Sequence, residues 1–238
     1  MEINGVLKAI LNSIKSIPAE FGACDYDTDY VPNIDYIEDQ ISKVAPNAAI
    51  YNGCSKCAIV DRTCDYVIKI PFRGAFYEGY DDEEDSFEEF QYANDLGGEY
   101  DDASCWDYCE NELIKYEKAV DAGFGEFFAE TAYYGMIDNT PIYIQEKASS
   151  YSERRKDGNV PSASDDAQKI YEENANELSY SINANWIELA IDWYGLERVL
   201  DFLNYIEAED LDWDLHNGNI GFTDSGKPVL IDWAGWRD

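Results

Sequence analysis

The excess of acidic side chains is the feature that most constrains the fold of this chain. Fifty Asp and Glu residues against 17 Lys and Arg give 238 residues a net charge of −33. Because ionised carboxylates stay in water unless they are paired, the fold must segregate them to surfaces and loops. Hydrophobic residues make up 45% of the chain and aromatic residues 15%. This composition is sufficient for a sizeable core, in one large domain or two small ones.

The negative charge also limits the possible partners. Nucleic-acid phosphates and anionic membrane surfaces both attract positive charge, so we expect neither direct nucleic-acid binding nor membrane binding. Basic proteins are the favoured partners, because opposite potentials steer their encounter. Alternatively, the net charge is a general property of the proteins of the source organism, and this explanation requires no partner. The first twenty residues are amphipathic rather than continuously apolar, which favours a cytoplasmic protein. The sequence does not indicate an oligomeric state.

The six cysteines are expected to be thiols rather than a disulfide framework, since no secretory signal is recognisable. Cys54 with Cys57, and Cys105 with Cys109, could in principle supply four zinc ligands. The chain has a single histidine and no second C-x-x-C pair. Ordinary thiols are therefore favoured over a structural zinc site.

Residues 1–47 are predicted to form an N-terminal helical region. Apolar residues at helical spacing predict a helix over about residues 3–16, which ends before Pro18. The apolar residues between Ile34 and Val44 predict a second, shorter helix.

The pattern changes to strands from Ala48, and residues 48–148 are predicted to be a strand-rich lobe. Three short apolar runs joined by turn residues precede an acidic insert, residues 74–104, that contains no Lys or Arg. A helix over Trp106–Val120 and two strands around the Asp138–Asn139 turn follow.

Residues 149–238 are predicted to be a smaller, mainly helical lobe. A polar, serine-rich stretch at 149–166 indicates a loop. Helices then extend to about Ala208, and a late hairpin turns at Asp224–Gly226.

Two segments in this second lobe carry the strongest chemical signal. Asp214 and Asn219 have the D-x-x-x-x-N spacing, and Asp232 follows the next predicted hairpin. Phosphoryl transfer from ATP needs a carboxylate near the acceptor hydroxyl, and an amide and a carboxylate on magnesium. Strands over 219–222 and 228–231 would bring Asn219 and Asp232 side by side. A hairpin whose loops are acidic by chance is the alternative.

Lys69 lies in the run Val67-Ile68-Lys69-Ile70, which resembles the kinase strand whose lysine holds the nucleotide phosphates. A lysine between apolar residues requires a partner. Glu112 on the following predicted helix is the preferred partner, with Glu110 and Glu117 as alternatives.

Further contacts to ATP are expected from chain order. The turn containing Gly53 and Ser55 occupies the place of a glycine-rich phosphate lid, although it has one glycine only. Backbone groups of Glu146 and Ala148 would bind adenine in the segment between the lobes. His216 could act as a general base, but a contact to the γ-phosphate or a cap on the turn is favoured.

On these motifs, residues 48–238 resemble the protein-kinase-like family. The D-x-H-x-x-N element is similar to that of aminoglycoside phosphotransferases. A second similarity is to the early serine/threonine protein kinases of podophages, and it extends to the I-K-x-x-P segment at Ile14–Pro18.

The resemblance implies an α+β, minimal two-lobed kinase-like fold that is truncated after the DFG-like motif at Asp232. It implies ATP- and Mg²⁺-dependent phosphoryl transfer to Ser/Thr of basic host proteins, in the cytoplasm of an infected cell. Transcription, RNA processing or defence would be the affected process. In this interpretation Asp214 aligns the acceptor hydroxyl, Lys69 positions the phosphates and Asn219 with Asp232 binds magnesium.

Two other functions remain open at this stage. A catalytically silent pseudokinase or acidic decoy would bind and inhibit a nucleic-acid-binding host protein, and the net charge favours it. A small-molecule kinase is the third possibility, because of the D-x-H-x-x-N form.

Overall fold

The structure is a computed structural model, and its α-helices and antiparallel sheets give the α+β class expected from the sequence. It divides into two compact units. Residues 2–110 and 132–144 form the sheet unit, and residues 111–131 and 145–237 form the helical unit. The residues that the structure describes are 3–21, 29–53, 56–71, 73–74, 76–77, 100–101, 105–152, 162–175, 182–209 and 218–233.

Two capped helices begin the sheet unit. Helix α1 is Gly5–Ser13 and helix α2 is Ile34–Ile41. The side chain of Asn4 accepts the Leu7 N–H at 2.9 Å, and that of Asn33 accepts the Tyr36 N–H at 2.9 Å. Each asparagine thereby satisfies one amide that a helix start leaves without an intrahelical partner.

Three very short strands lie outside the predicted pattern. Strands β1 (Ala19–Phe21), β2 (Asp29–Pro32) and β6 (Arg73–Gly74) form an antiparallel sheet in the order β1-β2-β6. Strands β7 (Phe76–Tyr77) and β8 (Tyr100–Asp101) pair within the acidic insert, most of which lies outside the described residues.

A larger sheet contains the segment predicted to bind phosphates. Within the described part of the chain, its five strands are ordered β3-β4-β5-β10-β9. Positive φ angles at Asp138 (50°) and Asn139 (61°) make the two-residue turn between β9 and β10, as the sequence predicts. The strands are β3 (Ala49–Asn52), β4 (Lys56–Val60), β5 (Tyr66–Pro71), β9 (Thr131–Ile137) and β10 (Thr140–Glu146).

The two N-terminal helices share a hydrophobic core with this sheet. Leu7 and Ile10 of α1 and Ile37 of α2 belong to the same buried cluster as Ile68 and Ile70 of β5. The N-terminal residues therefore cover one face of the sheet, and they are part of the sheet unit.

Helix α3 (Cys105–Asp121) connects the two units along the chain. The helical unit continues with α4 (Asp165–Ile170), a π-helical turn (Tyr171–Ala175), α5 (Ala184–Tyr194) and α6 (Leu196–Ala208). Its core includes a close stack of the Phe127 and Phe202 rings, whose centroids are 3.9 Å apart with planes inclined by 6°.

A three-stranded sheet completes the helical unit. Strands β11 (Ala148–Ser150), β12 (Ile220–Thr223) and β13 (Pro228–Leu230) are antiparallel in the order β11-β12-β13. The prediction of a loop from residue 149 was wrong at its start, because Ser149 and Ser150 pair with β12. Polar side chains do not prevent pairing, since the ladder uses backbone groups.

The described cysteines bear on the zinc alternative. Cys57, Cys64 and Cys109 are buried thiols. Burial, together with the nearby Cys109, raises the pKa of the Cys57 thiol to about 12, and a protonated thiol is a poor metal ligand. Among the described residues no group of three or more His, Cys, Asp or Glu side chains could hold a metal, while Cys54 lies outside them.

No helix in the described ranges combines the length and the apolar character needed to cross a bilayer.

The close packing of β11 on β12 leads to a first prediction. A Cβ atom at Gly221 would lie 2.4 Å from the Ser149 carbonyl oxygen, whereas one at Gly5 would meet nothing within 4 Å. We expect Gly221→Ala to lower the free energy of unfolding by about 1–3 kcal/mol, since the strands must separate. Gly5→Ala should leave it unchanged or slightly raised. Urea titrations of both variants measure the difference, and equal stabilities would contradict the packing.

Candidate functional site

The hairpin formed by β12 and β13 brings the two predicted metal ligands together. Ile220 lies opposite Leu230 in the ladder. Beyond that pair, the Asn219 carbonyl oxygen accepts the Ile231 N–H at 2.8 Å and the Asp232 N–H at 3.4 Å. Asn219 and Asp232 therefore lie at the same end of the hairpin, which is the arrangement that the spacing predicts.

The side chains at this end supply the ligand atoms that Mg²⁺ prefers. Asn219 is buried and Asp232 is half-buried. One amide and one carboxylate oxygen are a small ligand set, but protein magnesium sites commonly use one or two carboxylates together with substrate phosphates and water. The pair fits a metal that arrives with a nucleotide better than a closed structural site.

Several contacts fix the position of this hairpin in the helical unit. The Tyr194 hydroxyl lies 2.7 Å from the Pro228 carbonyl oxygen and 2.8 Å from that of Glu126. Burial and the nearby Glu126 and Glu146 raise the pKa of Tyr194, so its hydroxyl stays protonated. The Ala129 N–H also donates to the Leu230 carbonyl at 2.8 Å.

Trp233, directly after Asp232, is attached to helix α3. Its indole Nε1 donates to the backbone carbonyl of Glu112 at 3.0 Å, and its side chain is 1% exposed. Its ring meets Phe128 edge-on, with centroids 5.0 Å apart. The segment that contains Asp232, the predicted metal-binding carboxylate, is thus hydrogen-bonded through Trp233 to helix α3, which contains Glu112.

Glu112 is the buried member of the three candidate glutamates. Its exposed fraction is 0%, whereas Glu110 and Glu117 are exposed. A buried carboxylate requires a cation or several hydrogen bonds. Burial therefore favours Glu112 over the two alternatives.

Lys69 lies on β5, the third strand of the five-stranded sheet in chain order. It is 5% exposed and lies opposite Ala58 of β4. Lys69 belongs to the sheet unit and Glu112 to the helical unit, and their pairing stays a prediction.

A backbone hydrogen bond joins the two described ends of the turn before β4. The Gly53 N–H donates to the Lys56 carbonyl at 2.9 Å, and a Cβ at Gly53 would lie 3.3 Å from that oxygen. Ser55 lies outside the described residues, so its predicted role is untested.

Glu146 and Ala148, the residues expected to bind adenine, form hydrogen bonds and an ion pair with other residues of the helical unit. The Glu146 N–H donates to the Glu130 carbonyl at 2.7 Å. The carboxylate of Glu146 forms an ion pair with Lys227 at 2.8 Å. Ala148 lies in β11 opposite Thr223. The Glu146 N–H is therefore engaged within the protein, and the predicted adenine contact stays a prediction.

The predicted catalytic residues Asp214 and His216 lie outside the described residues. Gly218, the first described residue after them, immediately precedes the buried Asn219. Their roles stay predictions.

Two lysines were missed by the sequence reasoning. Lys227 pairs with Glu146, 81 residues away, and no local pattern indicates such a contact. Lys56 is 9% exposed at the start of β4. The alternation Lys56-Cys57-Ala58-Ile59-Val60 was an available signal for Lys56, because it sets Lys56 apart from the apolar Cys57 and Ile59.

Comparison of the chain with protein-family models, with curated proteins and with solved structures finds no match. The functional assignment therefore rests on the residues of the site.

The bond from Trp233 to helix α3 leads to a second prediction. Trp233→Phe removes the only N–H of the side chain, and we expect it to lower the free energy of unfolding by about 1 kcal/mol. Trp193→Phe is the matched control, because Trp193 is 49% exposed. Chemical denaturation of both variants gives the comparison. Equal effects would show that the Trp233 bond contributes nothing measurable.

Proposed function

We propose that this chain is an ATP- and Mg²⁺-dependent phosphotransferase of the protein-kinase-like type that phosphorylates serine or threonine. The observation that carries the proposal is the pairing of Asn219 with the Ile231–Asp232 segment. Asn219, five residues after Asp214 in the sequence, thereby lies at one hairpin end with Asp232, so that an amide and a carboxylate residue are neighbours. Kinases require these three groups in this order.

The positions of Lys69 and Glu112 along the chain support the proposal independently. In protein kinases the phosphate-binding lysine is on the third strand, and its glutamate partner is on the next helix. Here the third strand of the five-stranded sheet carries the buried Lys69, and α3 carries the buried Glu112. We propose that the sheet unit is the nucleotide lobe and the helical unit the catalytic lobe of a two-lobed kinase.

Each residue then has a defined chemical role. Lys69 holds the ATP phosphates and Glu112 orients Lys69. Asn219 and Asp232 would hold Mg²⁺, and the ion would supply neutralisation of the negative charge on the phosphates. Asp214 aligns the acceptor hydroxyl and accepts its proton, while His216 contacts the γ-phosphate or caps the turn.

The net charge of −33 supports basic proteins as substrates. Electrostatic steering raises the association rate of oppositely charged partners. Nucleic-acid-binding proteins of a host cell are the substrate class that fits best, which agrees with the resemblance to early phage kinases.

The direct test is phosphoryl transfer from γ-labelled ATP with Mg²⁺ to a basic protein mixture from a bacterial host lysate. Asp214→Ala should lower the transfer rate about 10²–10⁴-fold, the range that general-base groups contribute. Lys69→Met should have a comparable effect, because the phosphates lose their position. Asp192→Ala is the control for charge, since Asp192 is exposed on α5.

The second candidate is a catalytically silent acidic decoy, which the net charge of −33 favours by itself. A decoy binds through summed surface charge, so a single substitution should hardly alter it. If folded Asp214→Ala and Lys69→Met proteins inhibit the host process as strongly as the wild type, and no label is transferred, the decoy replaces the kinase.

A further inference from the structure

We infer that Lys56 is a second phosphate-binding lysine, which acts beside Lys69 on the terminal phosphates of a nucleoside triphosphate. The inference deepens the proposed function and rests on it. In this inference the Lys56 side chain, at the start of β4, binds phosphate oxygens that backbone amides bind in a glycine-rich loop.

The strand register places the two lysines on one face of the sheet. Lys69 lies opposite Ala58, and Lys56 lies opposite Pro71. Because side chains alternate along a strand, Lys56 shares a face with Ala58 and therefore with Lys69. Diagonal neighbours of this kind in an antiparallel pair are roughly 7 Å apart, so one polyphosphate can reach both ammonium groups.

The opposite face of strands β4 and β5 packs in the hydrophobic core. Four residues of β4 and β5 that alternate with the lysines are buried against the apolar side chains of α1 and α2: Cys57, Ile59, Ile68 and Ile70. Lys56 and Lys69 consequently point away from this core. Packing of the core fixes the register, and the register fixes which side the lysines occupy.

Both lysines are buried on one face of the sheet. Lys56 is 9% exposed and Lys69 is 5% exposed, and both have interactions within the chain. Two ammonium groups on one face repel each other, which favours the approach of further anionic oxygens. A triphosphate supplies several such oxygens at once and would bind in addition to the internal partners.

The location of Lys56 fits the phosphate end of a nucleotide. Lys56 is the first residue of β4 and closes the turn that begins at Gly53, through the 2.9 Å backbone bond. The sequence of that turn has one glycine of the G-x-G-x-x-G pattern, whereas the full pattern lets the backbone approach the phosphates closely. The lysine ammonium has three donors on a flexible stem and can reach a phosphate from the start of β4.

The affinity test uses the full chain, Mg²⁺ and three nucleotides. Lys56→Met should weaken ATP and ADP roughly 10- to 100-fold, the loss typical of one hydrogen bond to a charged group. AMP should bind almost as it does to the wild type, because it lacks the outer phosphates. Lys43→Met is the matched control, since Lys43 is exposed in the same unit. Isothermal titration calorimetry measures the three affinities for each protein.

A second measurement uses the wild-type protein and does not depend on how a variant folds. An acyl-phosphate derivative of ATP transfers its acyl group to a lysine that lies against the phosphates. The Nζ attacks the acyl carbon, an amide bond forms, the acyl–phosphate bond breaks, and ATP and a proton are released. Peptide mass spectrometry should find both Lys56 and Lys69 labelled, with both labels suppressed by excess ATP and any Lys43 label unaffected.

The outcomes separate the inference from the proposed function. If the wild type binds Mg-ATP but only Lys69 shows suppressible labelling, the Lys56 inference is overturned and the kinase proposal stands. The same holds if folded Lys56→Met binds ATP with wild-type affinity, in which case Lys56 belongs to an internal ion pair. If the wild type binds no nucleotide, both proposals fail together.

Discussion

The backbone pairing between β12 and β13 is the interaction on which the site depends. One carbonyl oxygen, that of Asn219, accepts the amide protons of both Ile231 and Asp232. The main chain therefore fixes the backbone positions of the two residues that we propose as metal ligands. Gly221 keeps β11 close enough to support this hairpin, and Tyr194 holds its turn-side end at Pro228. A metal site built on such a frame is pre-organised, which is what transfer chemistry requires.

The distribution of charge supports the same account. In a chain with 50 acidic and 17 basic residues, solvated carboxylates avoid the desolvation penalty, but a buried charge is costly unless it is matched. Lys56, Lys69 and Glu112 are nevertheless buried. All three have interactions within the chain. Buried charged groups occur both at sites that bind charged ligands and in structural ion pairs.

The sequence predicted the local elements well and the long-range contacts poorly. Local sequence patterns were sufficient to predict three elements, because the residues that define each of them lie close together in the chain. These elements are the β9–β10 turn, the β12–β13 hairpin and the strand of Lys69. The sharing of a core between α1, α2 and the large sheet could not be predicted, because apolar periodicity shows that a face is buried but not what covers it. The strand at Ser149–Ser150 was missed because its polar side chains carry no strand pattern. The Lys227–Glu146 pair joins positions 81 residues apart.

The most direct test of the central claim is the affinity for Mn²⁺, bound in place of Mg²⁺ with ATP and followed by electron paramagnetic resonance. Asn219→Ala and Asp232→Ala should each weaken the bound-metal signal strongly. If both side chains hold the same ion, the double variant should lose less than the sum of the two single losses, because the site is already broken. Losses that simply add, or a signal that neither substitution changes, would contradict a shared metal site at this hairpin.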